Sequence, residues 1–266
     1  MVYQSQSLPE LLAHFSEGGR GVVAVTKADF YQAYIDESGT HAGASILAVA
    51  AYFGTHGQWE QFLSRWKHDD FHACESRYDK LKSELADAID ASEIEGAEVC
   101  IRPHEFQNSA SADMKSNMGN AYAVGVFLCV VGICKLVSTE NENARIAFVL
   151  EDGQPNVLWV QRLLIAFMAE YPTIASVTVA AKVGTPQFHP PDFLAYSRST
   201  TDVPWMNRLF AKGRAREMPI EAELFSRTSE GVKRLMRENR RRKAKEKLAR
   251  KIARKSEIGE NNGEHL

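Results

Sequence analysis

The sequence predicts an α/β protein in which helices cover a mixed β-sheet. Two observations carry this prediction. Two apolar, strand-like segments flank the turn sequence SGTHAGAS and indicate a β-hairpin within residues 31–54. Strand-like and helix-like segments then alternate to about residue 200, an order typical of a sheet with helices on its faces.

The elements are predicted from their hydrophobic periodicity and their turn residues. YQAYIDE and ILAVAAYFG are the hairpin strands, followed by the amphipathic helix QWEQFLSRWKHDDF and the helix RYDKLKSELADAIDAS. The strand AEVCIRP precedes a polar loop and a long apolar helix that ends near Ser138. The strand ARIAFVLED, a helix from Val157 to Tyr171, the strand ASVTVAAKV and a helix starting at DFLAYSRST complete the order. Asp192 is the expected N-cap of that last helix.

Four regions are predicted along the chain. Residues 1–30 form an N-terminal extension with a short helix (SLPELLAHF) and a strand and turn (GVVAVTKADF). Residues 31–200 form the α/β domain, residues 201–231 a helical extension, and residues 232–266 a charged helical or frayed tail.

Composition favours a soluble globular protein, with 44% hydrophobic and 25% charged residues. The four cysteines show no zinc-binding spacing, so we expect free thiols in a reducing compartment and a cytoplasmic location. No secretory signal is recognised at the N-terminus. The apolar segment from Ala121 to Val137 includes Lys135 and is expected to be a buried core helix rather than a membrane span. The oligomeric state is not predicted.

Charge is distributed unevenly. Residues 232–266 contain 13 Lys/Arg and 5 Asp/Glu, whereas the rest of the chain carries a net charge of −10. Two interpretations stay open: a solvated helix packed loosely on the acidic body, or an arm that follows the phosphates of DNA or RNA. The nucleic-acid-binding candidates in the second interpretation are Arg240, Arg241, Arg242, Lys243, Lys245 and Lys247.

Carboxylates follow predicted strands at three places. Asp36 ends the first strand, Glu151 ends ARIAFVLE, and Asp192 stands just past the last strand. Ligands of open α/β sheets bind near strand ends, and carboxylates brought together repel one another unless a cation neutralises them. Mg²⁺ or Mn²⁺ prefers such oxygen ligands, and two ions can clamp a phosphodiester during hydrolysis.

Each site also has a simpler interpretation. DESG and EDGQPN are turn sequences, and Asp192 could serve only as a helix cap. His72 could orient a water or protonate a leaving group, or be an ordinary surface histidine. Lys182 could contact a phosphate or simply be exposed.

Four segments, in this order, resemble the domain of unknown function 3800, whose members look like ribonuclease H-fold proteins. The segments are YIDESG, FHACE, FVLEDG and AAKVGTPQFHPPDFLAYSR, between Tyr34 and Arg198. Pro190 and Pro191 replace the Gln/Ala context that precedes the aspartate in the family.

The resemblance implies a ribonuclease H-like sheet flanked by helices and metal-dependent cleavage of nucleic acid. Asp36, Glu151 and Asp192 are the implied metal-site residues. Further candidates are Glu37, His72, Glu75 and Lys182. If strand alternation continues, Glu37 points to the opposite face of the sheet from Asp36.

The leading functional hypothesis is therefore a two-metal nuclease that uses Mg²⁺ or Mn²⁺. The alternative is a catalytically inactive protein on the same scaffold that binds nucleic acid or a partner. A phosphotransferase with Asp36 as nucleophile is a weaker hypothesis, because Ser38 stands where a second aspartate is expected.

Overall fold

The computed structural model describes residues 30–39, 44–109, 121–154, 156–198 and 203–218, together with the single positions Arg237, Arg241, Ala244 and Lys245. The helix and strand predicted within residues 1–29 lie outside these residues, as does most of the basic tail.

The described strands form one six-stranded mixed sheet in the order β5-β4-β1-β2-β3-β6. The strands are β1 (Phe30–Ser38), β2 (Leu47–Thr55), β3 (Glu95–Ile101), β4 (Arg145–Glu151), β5 (Ile174–Ala180) and β6 (Ala215–Glu217). Neighbours β1, β2 and β3 are antiparallel, whereas β4 pairs in parallel with both β1 and β5, and β6 pairs in parallel with β3.

Seven helices connect these strands within the described residues. They are α1 (His56–Arg65), α2 (Leu81–Ser92), α3 (Pro103–Ser109), α4 (Ala121–Glu140), α5 (Val157–Phe167), α6 (His189–Ser197) and α7 (Pro204–Ala211). Short 3₁₀ turns precede α2 and α6, at Ser76–Tyr78 and Pro186–Phe188.

The hairpin between β1 and β2 depends on a glycine. Gly39 has φ = 84°, a left-handed conformation that L-residues with a Cβ rarely adopt. A Cβ at this position would lie 2.0 Å from the carbonyl oxygen of Ile46. The glycine of DESG therefore allows the chain to turn directly after the two carboxylates.

Each face of the sheet is covered by its own helical layer. Ala33 and Ile35 of β1 face a core that includes α4 and α5. Tyr34 faces a second core that includes α1, α2, α6 and α7. The alternation of side chains along β1 thus divides the molecule into two apolar layers. The predicted α/β class, a mixed sheet flanked by helices, is confirmed.

Helix α4 is the long apolar helix of the sequence. By length and composition it could span a membrane, but 78% of its most apolar 18-residue window is buried inside the fold. It packs on β2 and β3 and against α5, so it forms the core of the apolar layer on that face of the sheet.

Several boundaries differ from the prediction. Helix α1 ends at Arg65, six residues early, because Trp66 adopts an extended conformation and is buried. Helix α6 begins at His189 rather than Asp192, because Pro190 and Pro191 occupy its first turn, where a missing N–H costs little. Asp192 is therefore not the N-cap as predicted; it lies in the first helical turn.

The fold also continues past residue 200, the predicted end of the α/β domain. Helix α7 packs in the second core, and β6 extends the sheet. Arg198, directly after α6, pairs with the fully buried Glu98 of β3 and with Glu217 of β6. The segment 203–218 thus belongs to the same folded unit.

Candidate functional site

The site is formed where β1 and β4 end side by side. Ile35 pairs with Leu150 in the parallel register, so Asp36 and Glu151 are the next residues along two adjacent strands. Lys182 follows β5, and Asp192 comes from α6, which packs against β1 and β2. These elements bring the three predicted metal-site residues and Lys182 to one edge of the sheet.

Three carboxylates form the centre of the site. One carboxylate oxygen from each of Asp36, Glu37 and Glu151 lies within 4.8 Å of one from each of the others. Asp36 is 1% exposed and Glu37 is 8% exposed. The backbone also orients the carboxylate of Asp36, since the amide of Glu37 donates a hydrogen bond of 2.7 Å to Oδ1 of Asp36.

Burial dominates the electrostatics of these acids. It raises the pKa of Asp36 well above its usual range, and a hydrogen bond with Glu151 adds to that shift despite the opposing charge of Lys182. The pKa of Glu37 is raised in the same way, by burial first and by the charge of Asp36 second. Together these acids would gain from a cation that neutralises them.

Lys182 contacts the second carboxylate oxygen of Asp36, the one that does not accept from the amide of Glu37. Its Nζ is 2.7 Å from Oδ2 of Asp36 and 3.0 Å from Oδ2 of Asp192. Burial opposes the ammonium, but Asp36, Asp192 and Glu151 outweigh it and raise the pKa of Lys182. Asp192 is thus linked to Asp36 through a lysine ammonium.

Asp192 also holds a neighbouring loop. Its Oδ2 accepts a hydrogen bond of 2.9 Å from the backbone amide of Ala73, in the segment FHACE. This carboxylate in the first turn of α6 therefore fixes the connection between α1 and α2 against the site.

His72 and Glu75, the further candidates in that loop, pair with local partners. Nε2 of His72 is 3.9 Å from Asp70, and Glu75 forms a 2.6 Å ion pair with Arg77. Their side chains are 39% and 41% exposed. Both therefore lie at the solvent side of the loop that Asp192 anchors, and their predicted catalytic roles stay predictions.

The expectation for Glu37 was incomplete. Alternation does assign it to the face of Ile35, yet at the strand end its carboxylate reaches the oxygens of Asp36 and Glu151. A hydrogen bond with Gln154 lowers its pKa against the larger effect of burial. The adjacent acids in DESG were the only sequence signal for this placement.

His189 is a buried histidine next to the site that was not among the predicted site residues. It begins α6 and is 1% exposed. Its Nδ1 accepts a 2.7 Å hydrogen bond from the indole N–H of Trp66. Burial, assisted by the charge of Lys182, lowers the pKa of His189 to about 3. No local pattern in GTPQFHPP marks a buried histidine.

Of the six basic tail candidates, the structure describes Arg241 and Lys245, which are helical and exposed. The other four lie outside the described residues.

No family model matches the sequence, and no curated protein matches it significantly. Among solved structures, the chain is similar to a chain of the PCNA:RNase HII complex from Archaeoglobus fulgidus. That match has 13% sequence identity and a TM-score of 0.38, and covers 71% of this chain and 95% of the other. A similarity this low carries no argument about function.

Proposed function

We propose that this protein is a metal-dependent hydrolase of phosphodiester bonds in nucleic acid. The observation that carries the proposal is the buried carboxylate cluster of Asp36, Glu37 and Glu151 at the ends of two parallel strands. Burying adjacent acids is costly unless a cation or a proton neutralises them. Such a cluster is expected where it serves chemistry rather than stability alone.

The residues fit a hard divalent cation. All the donors are carboxylate oxygens, which suit Mg²⁺ or Mn²⁺ better than the softer transition metals. Among the described residues, Oε1 of Glu37 is buried without a hydrogen-bond partner and is available as a ligand. The chemistry available from such a cation is charge neutralisation at a phosphodiester and activation of water.

Asp36, Glu37 and Glu151 would hold the cation in this proposal. Lys182 adds a fixed positive charge beside them, suited to the oxygens of a phosphate. Asp192 positions Lys182 through an ion pair and the FHACE loop through its bond to Ala73. His72, on that loop, is the candidate for proton transfer to the leaving group.

Nucleic acid is the proposed substrate because the tail supplies the charge that the body lacks. The region 232–266 carries a net charge of +8, against −10 for the rest of the chain. Backbone phosphates are the partner that such a basic segment attracts without sequence preference.

One observation favours the alternative of an inactive binding protein. Lys182 already forms ion pairs with both Asp36 and Asp192, at 2.7 Å and 3.0 Å from its Nζ. An internal ammonium could have replaced metal-dependent catalysis entirely. In that case the basic tail would still bind nucleic acid.

Cleavage assays with matched variants separate these functions. The full chain is incubated with single- and double-stranded DNA and RNA in Mg²⁺, Mn²⁺ or EDTA. We expect cleavage only with metal, and its loss in Asp36→Asn and Glu151→Gln. The control is Asp152→Asn, since Asp152 adjoins Glu151 but is exposed and caps its own turn by accepting from the amide of Gly153.

Cleavage that survives Asp36→Asn would assign the activity to another site or to a contaminant. If the wild type cleaves none of these substrates with either metal, the nuclease function is excluded and the inactive binding protein becomes the supported alternative.

Membership of the domain of unknown function 3800 and a cytoplasmic location are also part of this proposal. The four cysteines are free, which agrees with a reducing compartment.

A further inference from the structure

The ammonium of Lys182 lies in a place where a second cation would otherwise be expected. Its Nζ lies within hydrogen-bond distance of one carboxylate oxygen of Asp36 and one of Asp192. The Lys182 side chain is 10% exposed, and those of Asp36 and Asp192 are 2% and 13% exposed. One positive charge from within the fold is therefore shared between these two carboxylates.

A different set of oxygens is left for a metal ion. Asp36, Glu37 and Glu151 converge within 4.8 Å, and Asp36 belongs to both sets. Glu37 is 8% exposed, and its Oε1 is buried without a hydrogen-bond partner among the described residues. This unpartnered oxygen is therefore available as a ligand to a cation at the cluster.

We propose that the site takes one divalent cation, held by Asp36, Glu37 and Glu151, and that Lys182 permanently occupies the place of the second. The inference rests on the proposed function, because it assigns the charges of that same site. It replaces the two-ion arrangement expected from the sequence with one metal ion and one ammonium.

The physical reason is repulsion combined with burial. A second dication between Asp36 and Asp192 would have to displace an ammonium that has two carboxylate partners and little access to water. The ammonium would also provide a positive charge next to the metal without a second ion-binding step.

Counting bound Mn²⁺ tests this directly and needs no substrate. Equilibrium dialysis or calorimetry on the full chain should give one Mn²⁺ per wild-type chain. Lys182→Met should raise the count to two, since Asp36 and Asp192 then face each other without a cation. Lys182→Arg retains the charge and should stay at one.

Lys82→Met is the matched control. Lys82 is equally buried, with a side chain 9% exposed and an ion pair of 2.7 Å to Asp79, but it lies on α2. We expect this variant to bind one Mn²⁺. The double variant Lys182→Met/Asp192→Asn should also bind one Mn²⁺ per chain, because the second site has lost the carboxylate of Asp192.

The outcomes are distinct. Two ions bound by the wild type, or one ion bound by a folded Lys182→Met, would overturn the role of Lys182 and leave the proposed function standing. No Mn²⁺ bound by any form would remove the proposed function itself. If Lys182→Met does not fold, the counts for the wild type and Lys182→Arg decide, since two ions in either contradicts the inference.

Discussion

The indole N–H of Trp66 donates a 2.7 Å hydrogen bond to Nδ1 of His189 in the interior of the protein. Because Nδ1 accepts, the proton of the neutral imidazole lies on Nε2. Trp66 directly follows α1, and His189 begins α6, the helix that carries Asp192. This contact therefore fixes the start of α6 next to the carboxylate site.

The first prediction is that this histidine makes the protein less stable in acid. Burial lowers the pKa of His189 to about 3, from an ordinary value of 6.5. Between these values the unfolded chain binds a proton that the folded chain does not. Stability contributed by neutral His189 is therefore complete above pH 6.5 and declines as the pH falls toward 3, by at most about 1.4 kcal/mol per pH unit.

Urea unfolding of the wild type and His189→Gln from pH 4.5 to 7.5 measures this effect. Glutamine can still accept from Trp66 but does not titrate, so the variant should show a shallower loss of stability below pH 6.5. A wild-type imidazole that titrates by NMR with a midpoint near 6.5 would contradict the prediction.

The second prediction concerns Glu37→Gln. The substitution removes a buried carboxylate whose Oε1 has no partner among the described residues. In EDTA we therefore expect a higher unfolding temperature than in the wild type. With Mn²⁺ the unfolding temperature of the wild type should rise to or above that of Glu37→Gln. The reason is that a cation that binds only the native state stabilises the protein that binds it more tightly, which is the wild type.

Thermal unfolding of both proteins at several Mn²⁺ concentrations checks this result, with Asp152→Asn as the exposed-carboxylate control. An equal rise in unfolding temperature for wild type and Glu37→Gln would exclude Glu37 as a ligand.

The third prediction is that high salt destabilises the packing of α7 and the edge strand β6 against α2 and β3. Ion pairs connect α7 and β6 to α2 and β3: Arg208–Asp87 at 2.6 Å, Lys212–Asp90 at 2.5 Å, Arg214–Glu93 at 3.0 Å, and Arg216–Glu95. Exposed pairs contribute roughly 0–1 kcal/mol each, and raising ionic strength from 0.1 to 1 M shortens the Debye length from about 10 to about 3 Å.

Hydrogen exchange can follow this edge directly. The amide of Gly96 donates to the carbonyl of Arg214, and the amide of Met218 donates to that of Glu98, both at 2.8 Å. These two amides should exchange faster in 1 M NaCl, whereas amides within α4 should not. Asp90→Asn, which removes the partner of Lys212, should produce a similar effect at low salt.

The fourth prediction concerns the basic tail. Truncation after Gly231 removes all 13 Lys/Arg of that region. Nucleic-acid binding should weaken and depend less steeply on salt, because fewer phosphates are neutralised. The number of bound Mn²⁺ ions should not change. Equal affinities of full-length and truncated protein at low salt, for single- and double-stranded DNA and RNA, would exclude the tail as a binding arm.

The sequence was sufficient to predict most of the described strands and helices. The pattern of apolar residues within a single segment shows how that segment is buried. Examples are the alternation in YQAYIDE, the apolar run ILAVAAYFG and the long apolar helix. Errors fell at helix ends, at α3, which forms where a polar loop was predicted, and at β6, a strand within the predicted helical extension. Helix α1 stops before Trp66 because that indole is buried against His189, a residue 123 positions away in the chain.

The candidate site was less predictable. The acids could be located at strand ends, but their proximity depends on β1 and β4 being parallel neighbours in the register Ile35–Leu150. No residue spacing in the sequence predicts that Lys182 lies between Asp36 and Asp192. Nor does any spacing predict that the carboxylate of Glu37 lies near those of Asp36 and Glu151.

The sequence by itself thus determined most of the strands and helices and which carboxylates follow the strands. Only the tertiary structure decided which charges meet. The physical reason is range: hydrophobic periodicity acts over one turn or one strand, whereas ion pairing and desolvation depend on contacts between residues distant in the chain. Lys182 and Asp36, 146 positions apart, are neighbours only because β5, β4 and β1 lie side by side.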